Sequence, residues 1–297
     1  MDLESSRDLE KVLAEMKSAI GKSKKSSNET QMDLKEGCSK CPKCNDTGYV
    51  LFSDKDGIEY AKECDCGYLE RERYESKLRF ASIPSAYKEV RLKNFTTKYY
   101  SQKNYDVAKE ISEVVRFWFK NIEEMTEQGR GLYFWSNTKG SGKTMLAAAI
   151  ANELIENKKE YVKFATSTDI LDEIRSTYNR DSEESEAKLM NDIANVKYLV
   201  IDDFGTERVS EWVSERFYQI VNKRYVNKNV TIFTSNYDLL KIDYDDRITN
   251  RIRERSFLVH FPEESVREVK ARQENDFRNF KERKIDFVAL EKEAFEE

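Results

Sequence analysis

The chain has 297 residues, 39% hydrophobic and 36% charged, with a formal net charge of −5. That balance excludes a wholly basic nucleic-acid-binding surface, although 51 Lys and Arg leave room for a local basic channel. No apolar run approaches the ~20 residues needed to cross a bilayer, and the acidic, amphipathic start MDLESSRDLEKV does not read as a signal peptide, so a cytoplasmic location is expected.

Leu9, Leu13, Met16 and Ile20 recur at helical spacing and predict a short amphipathic helix, followed by a flexible linker, GKSKKSSN. All five Cys then fall between Cys38 and Cys66. In a reducing compartment such a cluster points to metal binding rather than disulfides. Cys41-Pro-Lys-Cys44 and Cys64-Asp-Cys66 form two close pairs, a pattern that suits a tetrahedral thiolate site for Zn²⁺. Cys38 is a spare that could replace Cys41 or Cys44; the Pro between the latter two suits a tight knuckle and favours them. The stretches GYVLF and IEYAKE between the pairs read as a hairpin too small to hold a core without metal.

Tyr68 to Phe80 reads as a charged helix that Ile83-Pro84-Ser85 breaks. From Tyr100 the pattern alternates. Val107, Ile111, Val114, Trp118 and Ile122 mark a helix, and Leu132 to Ser136 a strand. Lys143 to Asn157 is a helix, Tyr161 to Ala165 a strand, and Ser167 to Tyr178 and Glu183 to Ala194 are helical. Tyr198 to Asp202 and Val230 to Thr234 read as buried strands flanking a helix over Ser210 to Tyr225, with a last strand at Phe257 to Phe261. Short apolar strands alternating with helices predict an α/β fold, a parallel sheet covered by helices on both faces.

Between the first of these strands and its helix lies Asn137-Thr138-Lys139-Gly140-Ser141-Gly142-Lys143-Thr144. That is the context of a Walker A phosphate loop, whose backbone N–H groups and helix N-terminus attract an ATP phosphate tail. Lys143 is expected to reach the β- and γ-phosphates and Thr144 to hold Mg²⁺. The motif's first Gly is Asn137 here; Asn tolerates a left-handed backbone, so the loop is expected to close still. The strand YLVID ends in paired carboxylates: Asp202 is expected on Mg²⁺ and Asp203 on the attacking water. Asn236, at the tip of the next strand, could orient that water or sense the γ-phosphate. Arg247, Arg251, Arg253 and Arg255 crowd one segment, with Arg247 and Arg251 on one helical face. An arginine from such a segment could serve a neighbouring subunit's phosphate, and Arg267 one within its own.

In order, a C-P-x-C-x-D-T-G module closed by C-x-C, an I-P-x-x-Y linker, GSGKT, LVIDDFG, TIFTSN and DRITNRIR resemble the DnaC/DnaI-type replicative helicase loaders, especially phage-carried versions, from Cys41 to Arg267. The resemblance implies an AAA+ ATPase domain with Arg251 as the arginine finger and Arg267 as the second sensor arginine. It also implies that the helical stretch from Ser167 to Ala194 helps engage single-stranded DNA, with Phe164, Thr166, Arg175 and Tyr178 as candidates. Its implied partners are the hexameric replicative helicase, single-stranded DNA and further copies of the chain, with ATP sites between subunits. The organisation expected is an N-terminal helix and linker over 1–36, a zinc-binding, helicase-interacting module over 37–80, the ATPase domain over 81–281 and a tail over 282–297. An IstB-like transposition helper would share the ATPase core, but the cysteine module speaks against it. A non-hydrolysing ATP-dependent adaptor is the alternative from another class.

Overall fold

The computed structural model describes residues 41–53, 59–178 and 183–275. The helix predicted near Leu9, the linker after it, Cys38 and the tail lie outside them. The chain divides into two units, Met1–Cys66 and Gly67–Glu297.

In the first unit, β1 (Tyr49–Ser53) and β2 (Glu59–Glu63) form the antiparallel hairpin that the alternation predicts, with Tyr49 opposite Glu63. A two-stranded ribbon of this size is marginal in water by itself, and β2 is exposed along its length. Among the described residues, the cysteines at its base are what can stabilise it.

The second unit opens with α1 (Tyr68–Ala81). The sequence groups this helix with the cysteine module over 37–80, but it packs on the larger unit. Ala81 and Ile83 are buried in that unit's core, and the Tyr74 hydroxyl donates to Glu156 Oε1 at 3.1 Å. The predicted single helix over Val107 to Ile122 is two, α2 (Tyr105–Lys120) and α3 (Ile122–Gln128). Asn121 sits at the break, with φ of −105° and ψ of 28°; its backbone N–H and its side-chain amide both donate to the Phe117 carbonyl, at 3.1 and 2.8 Å.

Then follow β3 (Gly131–Trp135), α4 (Lys143–Asn157), β4 (Val162–Thr166), α5 (Ser167–Thr177), α6 (Glu183–Asn195), β5 (Tyr198–Asp202), α7 (Glu211–Val226), β6 (Val230–Ser235), α8 (Asp246–Arg255), β7 (Ser256–His260) and α9 (Val266–Glu274). The five strands from β3 onward form one parallel sheet in the order β4-β5-β6-β3-β7. β3, first of the five in sequence, therefore lies inside the sheet, next to the edge strand β7, and its C-terminal end opens beside those of β6 and β7. Alternate strand residues face two cores. Leu132, Phe134, Val200 and Ile232 pack with α2 and α4 on one face, and Tyr133, Leu199, Ile201 and Phe233 with α5 and α7 on the other. Burial on both faces is why these strands read as continuous apolar runs.

One buried charge ties the helical layer to the sheet. Arg224 of α7 is 1% exposed, and its guanidinium donates to Thr231 Oγ1 and to the carbonyls of Ile193, Ala194, Val196 and Val230. Carbonyls at the C-terminal end of α6 have no partner within their helix, and a cation there is favourable.

Candidate functional site

The phosphate loop leaves β3 between β6 and β7 and runs into α4. Gly140 and Gly142 have φ of 79° and 102°, where a side chain is strained. Both are also closely packed: a Cβ on Gly140 would lie 2.8 Å from Ser265 Oγ, and one on Gly142 3.1 Å from the Tyr100 hydroxyl. The Tyr100 hydroxyl donates to the Ser141 carbonyl at 2.7 Å, and the Arg267 N–H to the Gly140 carbonyl at 3.2 Å. Thus α9 and the segment ahead of α2 clamp the loop from outside.

Lys143 is 5% exposed. Its ammonium donates to the carbonyls of Ser136 and Thr138 at 3.3 and 3.1 Å and to Ser141 Oγ at 3.3 Å. Burial draws this ammonium below the usual lysine range, against the pull of Asp203, Glu263 and Asp202. A buried cation held only by neutral oxygens, at the N-terminus of a 15-residue helix, is a strong anion site.

Asn137 behaves differently from the expectation. It is not among the residues with positive φ, so left-handed tolerance is not what lets it stand at the glycine position. Instead its N–H and Nδ2 both donate to Glu263 Oε1, at 3.0 and 3.1 Å. Thr138 Oγ1 donates to Glu263 Oε2 at 2.8 Å.

At the end of β5, Asp202 is 6% exposed. Burial pushes its carboxyl above the usual range; the Thr234 and Thr144 hydroxyls and Lys143 counteract this, while Asp203 adds to it. Asp203 is exposed, with φ of 54°. Its N–H donates to Thr234 Oγ1 at 3.0 Å, and Thr234 Oγ1 in turn donates to Asp202 Oδ1. One hydroxyl thus fixes both acids. The Asp203 carbonyl accepts from Ser167 Oγ at 3.1 Å and Thr206 Oγ1 at 2.8 Å. Ser167 Oγ also donates to Glu207, which accepts from the Tyr244 hydroxyl as well.

A cavity of about 580 Å³ joins these parts. Lys139 through Thr144, Asp203, Asn236 and Arg267 line it, and Tyr87, Val90 and Val266 give it an apolar end. Asn152 Nδ2 holds that end in place by donating to the carbonyls of Tyr87 and Val90, each at 2.8 Å. The size lies within the usual range for small-molecule sites. A buried cation and backbone N–H groups beside an apolar slot fit a nucleoside triphosphate, and the paired hydroxyl and carboxylate of Thr144 and Asp202 suit a hard cation such as Mg²⁺. The reading from sequence missed Thr234, Glu263 and the Tyr87 to Val90 slot. Only the slot has a local signal, the apolar residues following Pro84.

The arginine segment forms α8, and Arg247 and Arg251 do share a face. Both guanidinium groups lie over the Tyr218 ring, at 4.5 and 5.2 Å, and Arg255 lies over Tyr225 at 4.8 Å. Arg251 is further held by Asn222 Oδ1 at 2.9 Å and the Arg247 carbonyl at 2.7 Å, whereas Arg253 is exposed. None of the four lines the cavity.

Of the four candidates for contact with DNA, Phe164 is wrong: at 2% exposure it belongs to the core under β4. Thr166 caps α5, its side chain accepting the Asp169 N–H. Arg175 and Tyr178 are exposed and meet at Trp212. The guanidinium lies 5.0 Å from the indole centroid, and the Tyr178 hydroxyl accepts from Trp212 Nε1 at 2.9 Å.

In the first unit, the Sγ atoms of Cys41, Cys44, Cys64 and Cys66 all lie within 4.8 Å of one another. Cys41 and Cys64 are 3.8 Å apart and Cys44 and Cys66 3.7 Å. These are not bonded disulfide sulfurs; a Zn–S length of ~2.3 Å gives a tetrahedron with an edge of about 3.8 Å. The knuckle closes as expected, with Asn45 and Asp46 at positive φ and Asp46 Oδ1 accepting the Cys41 N–H at 3.0 Å. Backbone N–H groups of Cys44 and Lys43 hold Cys41 down to about 7. At Cys64 the Cys66 N–H also pulls down, but desolvation and the neighbouring thiols outweigh it and push the thiol up to about 12. Four thiols this crowded resist joint ionisation, a penalty that a bound cation relieves. The cluster fits zinc.

Sheet order, phosphate loop and acidic strand end together define a nucleotide-binding domain of the AAA+ kind. The chain belongs to the family of IstB-like ATP binding proteins, whose model matches residues 70–273. It is similar to the replicative helicase loaders DnaC of Buchnera aphidicola subsp. Baizongia pistaciae (33% identical over 155 residues, 52% of this chain and 63% of that one) and of Escherichia coli K12 (36% over 123 residues, 41% and 49%). The matches thus span roughly half to three-fifths of those relatives' own length. A crystal structure of the DnaC helicase loader superposes with a TM-score of 0.51 at 26% identity, covering 60% of this chain and all of that one. Among the described residues no helix is long and apolar enough to cross a membrane.

Proposed function

We propose that the chain is an ATP-dependent loader that grips a hexameric replicative DNA helicase and delivers it onto single-stranded DNA to start replication. One observation carries the reading: a four-cysteine module precedes an ATP-binding domain whose curated relatives include replicative helicase loaders. The cavity adds the means to turn ATP over. Lys143 would take the β- and γ-phosphates, and Thr144 at the cavity wall, with Asp202 hydrogen-bonded to its hydroxyl, would hold Mg²⁺, which when bound neutralises charge developing on the phosphate oxygens. Asp203, exposed at the cavity wall, takes the proton side of the attacking water, and Asn236 orients it. Arg267 reaches the phosphate from its own chain, and Arg251 serves the site of a neighbouring copy. The four cysteines hold Zn²⁺ and shape the helicase-gripping module, while Arg175 and Tyr178 present charge and a ring to single-stranded DNA.

The family match keeps an IstB-like transposition helper as a second reading. A pull-down with the cognate replicative helicase separates the two. The loader is expected to retain the helicase with ATP, and DNA to stimulate phosphate release by wild type but not by Asp203→Asn. Retention of a transposase and not the helicase would sink the proposal. Absent phosphate release by wild type would leave only a non-hydrolysing adaptor.

A further inference from the structure

Glu263 is a carboxylate beside an anion site, where electrostatics alone disfavours it. Lys143 feels its charge, and a phosphate on the same loop would be repelled by it. Yet its two oxygens take five hydrogen bonds, four of them from the opening turn of the phosphate loop. Oε1 accepts from the Asn137 N–H at 3.0 Å, Asn137 Nδ2 at 3.1 Å and His260 Nε2 at 3.0 Å. Oε2 accepts from Thr138 Oγ1 at 2.8 Å and Ser136 Oγ at 3.2 Å.

The carboxylate is itself held in place. His260, the chain's one histidine, stacks on Trp135 with ring centroids 4.0 Å apart and planes 18° from parallel. The same two residues are register partners in the β3–β7 ladder, and the Phe261 N–H continues that ladder to the Trp135 carbonyl at 2.7 Å. Glu263 therefore extends the pairing of the two strands past their ends and onto the loop.

The motif's usual glycine leaves no side chain at the first loop position and lets the chain turn freely. Asn137 brings instead a restricted backbone and two donors that need an acceptor. We propose that Glu263, braced by His260, is a positioning residue that holds the first turn of the phosphate loop in its receiving shape, compensating for the missing first glycine. The proposal rests on the reading that this loop holds a nucleotide's phosphates.

Two predictions of opposite sign separate this role from a purely electrostatic one. Loss of the charge alone would strengthen nucleotide binding, whereas loss of the latch weakens it. Titrating a fluorescent ADP into the full-length wild type, Glu263→Ala, Glu263→Gln, Asn137→Gly and Asn137→Gly/Glu263→Ala decides between them. Glu263→Ala is expected to weaken ADP about tenfold or more, the worth of hydrogen bonds to a charged acceptor. Adding Asn137→Gly should recover most of that loss, which simple destabilisation would not allow. ADP binding by Glu263→Ala that is unchanged or tighter overturns the latch, and so does a double variant no better than the single. If Glu263→Ala does not fold, Glu263→Gln carries the test, with a smaller loss expected and wild-type affinity fatal to the idea. Lys143→Ala separates the two levels: wild-type ADP affinity there refutes the phosphate-site reading itself, whereas failure of the latch alone leaves the Lys143→Ala loss intact.

Discussion

Asp202 works at some cost to the fold. Its carboxyl is buried beside Asp203, and the hydroxyls of Thr234 and Thr144 only partly offset that burial. In the folded chain it titrates above an unfolded carboxylate, so between the two values the folded state carries the extra proton. Its contribution to stability therefore falls as pH rises through that window and remains unfavourable at neutral pH. Asp202→Asn keeps the acceptor for Thr234 and removes the charge. Nucleotide-free Asp202→Asn should melt a few degrees above wild type at pH 7, roughly 2–4 °C for each kcal/mol gained in a domain of this size. Its Mg-dependent turnover should fall at least about a hundredfold. A lower melting temperature for this variant would show that the charge is compensated in the free protein. At this scale the placement of side chains was legible wherever it is tied to neighbours in the chain: Lys143 and Thr144 open the helix that follows their loop, and Asp202 ends its strand. Thr234 and Glu263 were not, because each acts on a residue more than 30 positions away, and only the sheet order brings them together.

Among the elements, the strands and the helices that cover them were read to within a residue or two, since burial on both faces leaves a continuous apolar run in each strand. The break at Asn121 was invisible, because Trp118 and Ile122 keep helical spacing across it. Phe164 was misplaced for a different reason: the family resemblance offered it as a contact to DNA, although its place within the strand turns it into the core. The hairpin of β1 and β2 is the element most exposed to a test, since it has so little of its own to bury. Metal binding supplies about 10–16 kcal/mol to comparable modules. Purified under reducing conditions, the chain should carry about one zinc, and Cys64→Ser or a strong chelator should remove it while ATP binding persists. Metal analysis that finds none would refute the zinc site; loss of ATP binding on chelation would make the second unit dependent on the first.

For the whole molecule, the charge balance and the placement of its cations give a further expectation. With a net charge of −5 the chain has no global attraction for DNA, so the proposed contact would have to come from local groups such as Arg175. Binding to single-stranded DNA with ATP present should then weaken as salt rises, through counterion release. Binding that ignores salt, or none at all, would remove DNA as a direct partner. The Tyr218 and Tyr225 rings hold Arg247, Arg251 and Arg255 among α7 and α8, and none of the three lines its own cavity; the proposed service of Arg251 to a second copy would need such a placement. All of this depends on where the nucleotide sits. A crystal structure of the chain with Mg²⁺ and a non-hydrolysable ATP analogue is the most direct test. The account predicts the triphosphate against the amides of Gly140 to Thr144, the cation between Thr144 and Asp202, and the base beside Tyr87 and Val90. Nucleotide bound elsewhere, with Lys143 still folded onto the Ser136 and Thr138 carbonyls, would contradict it.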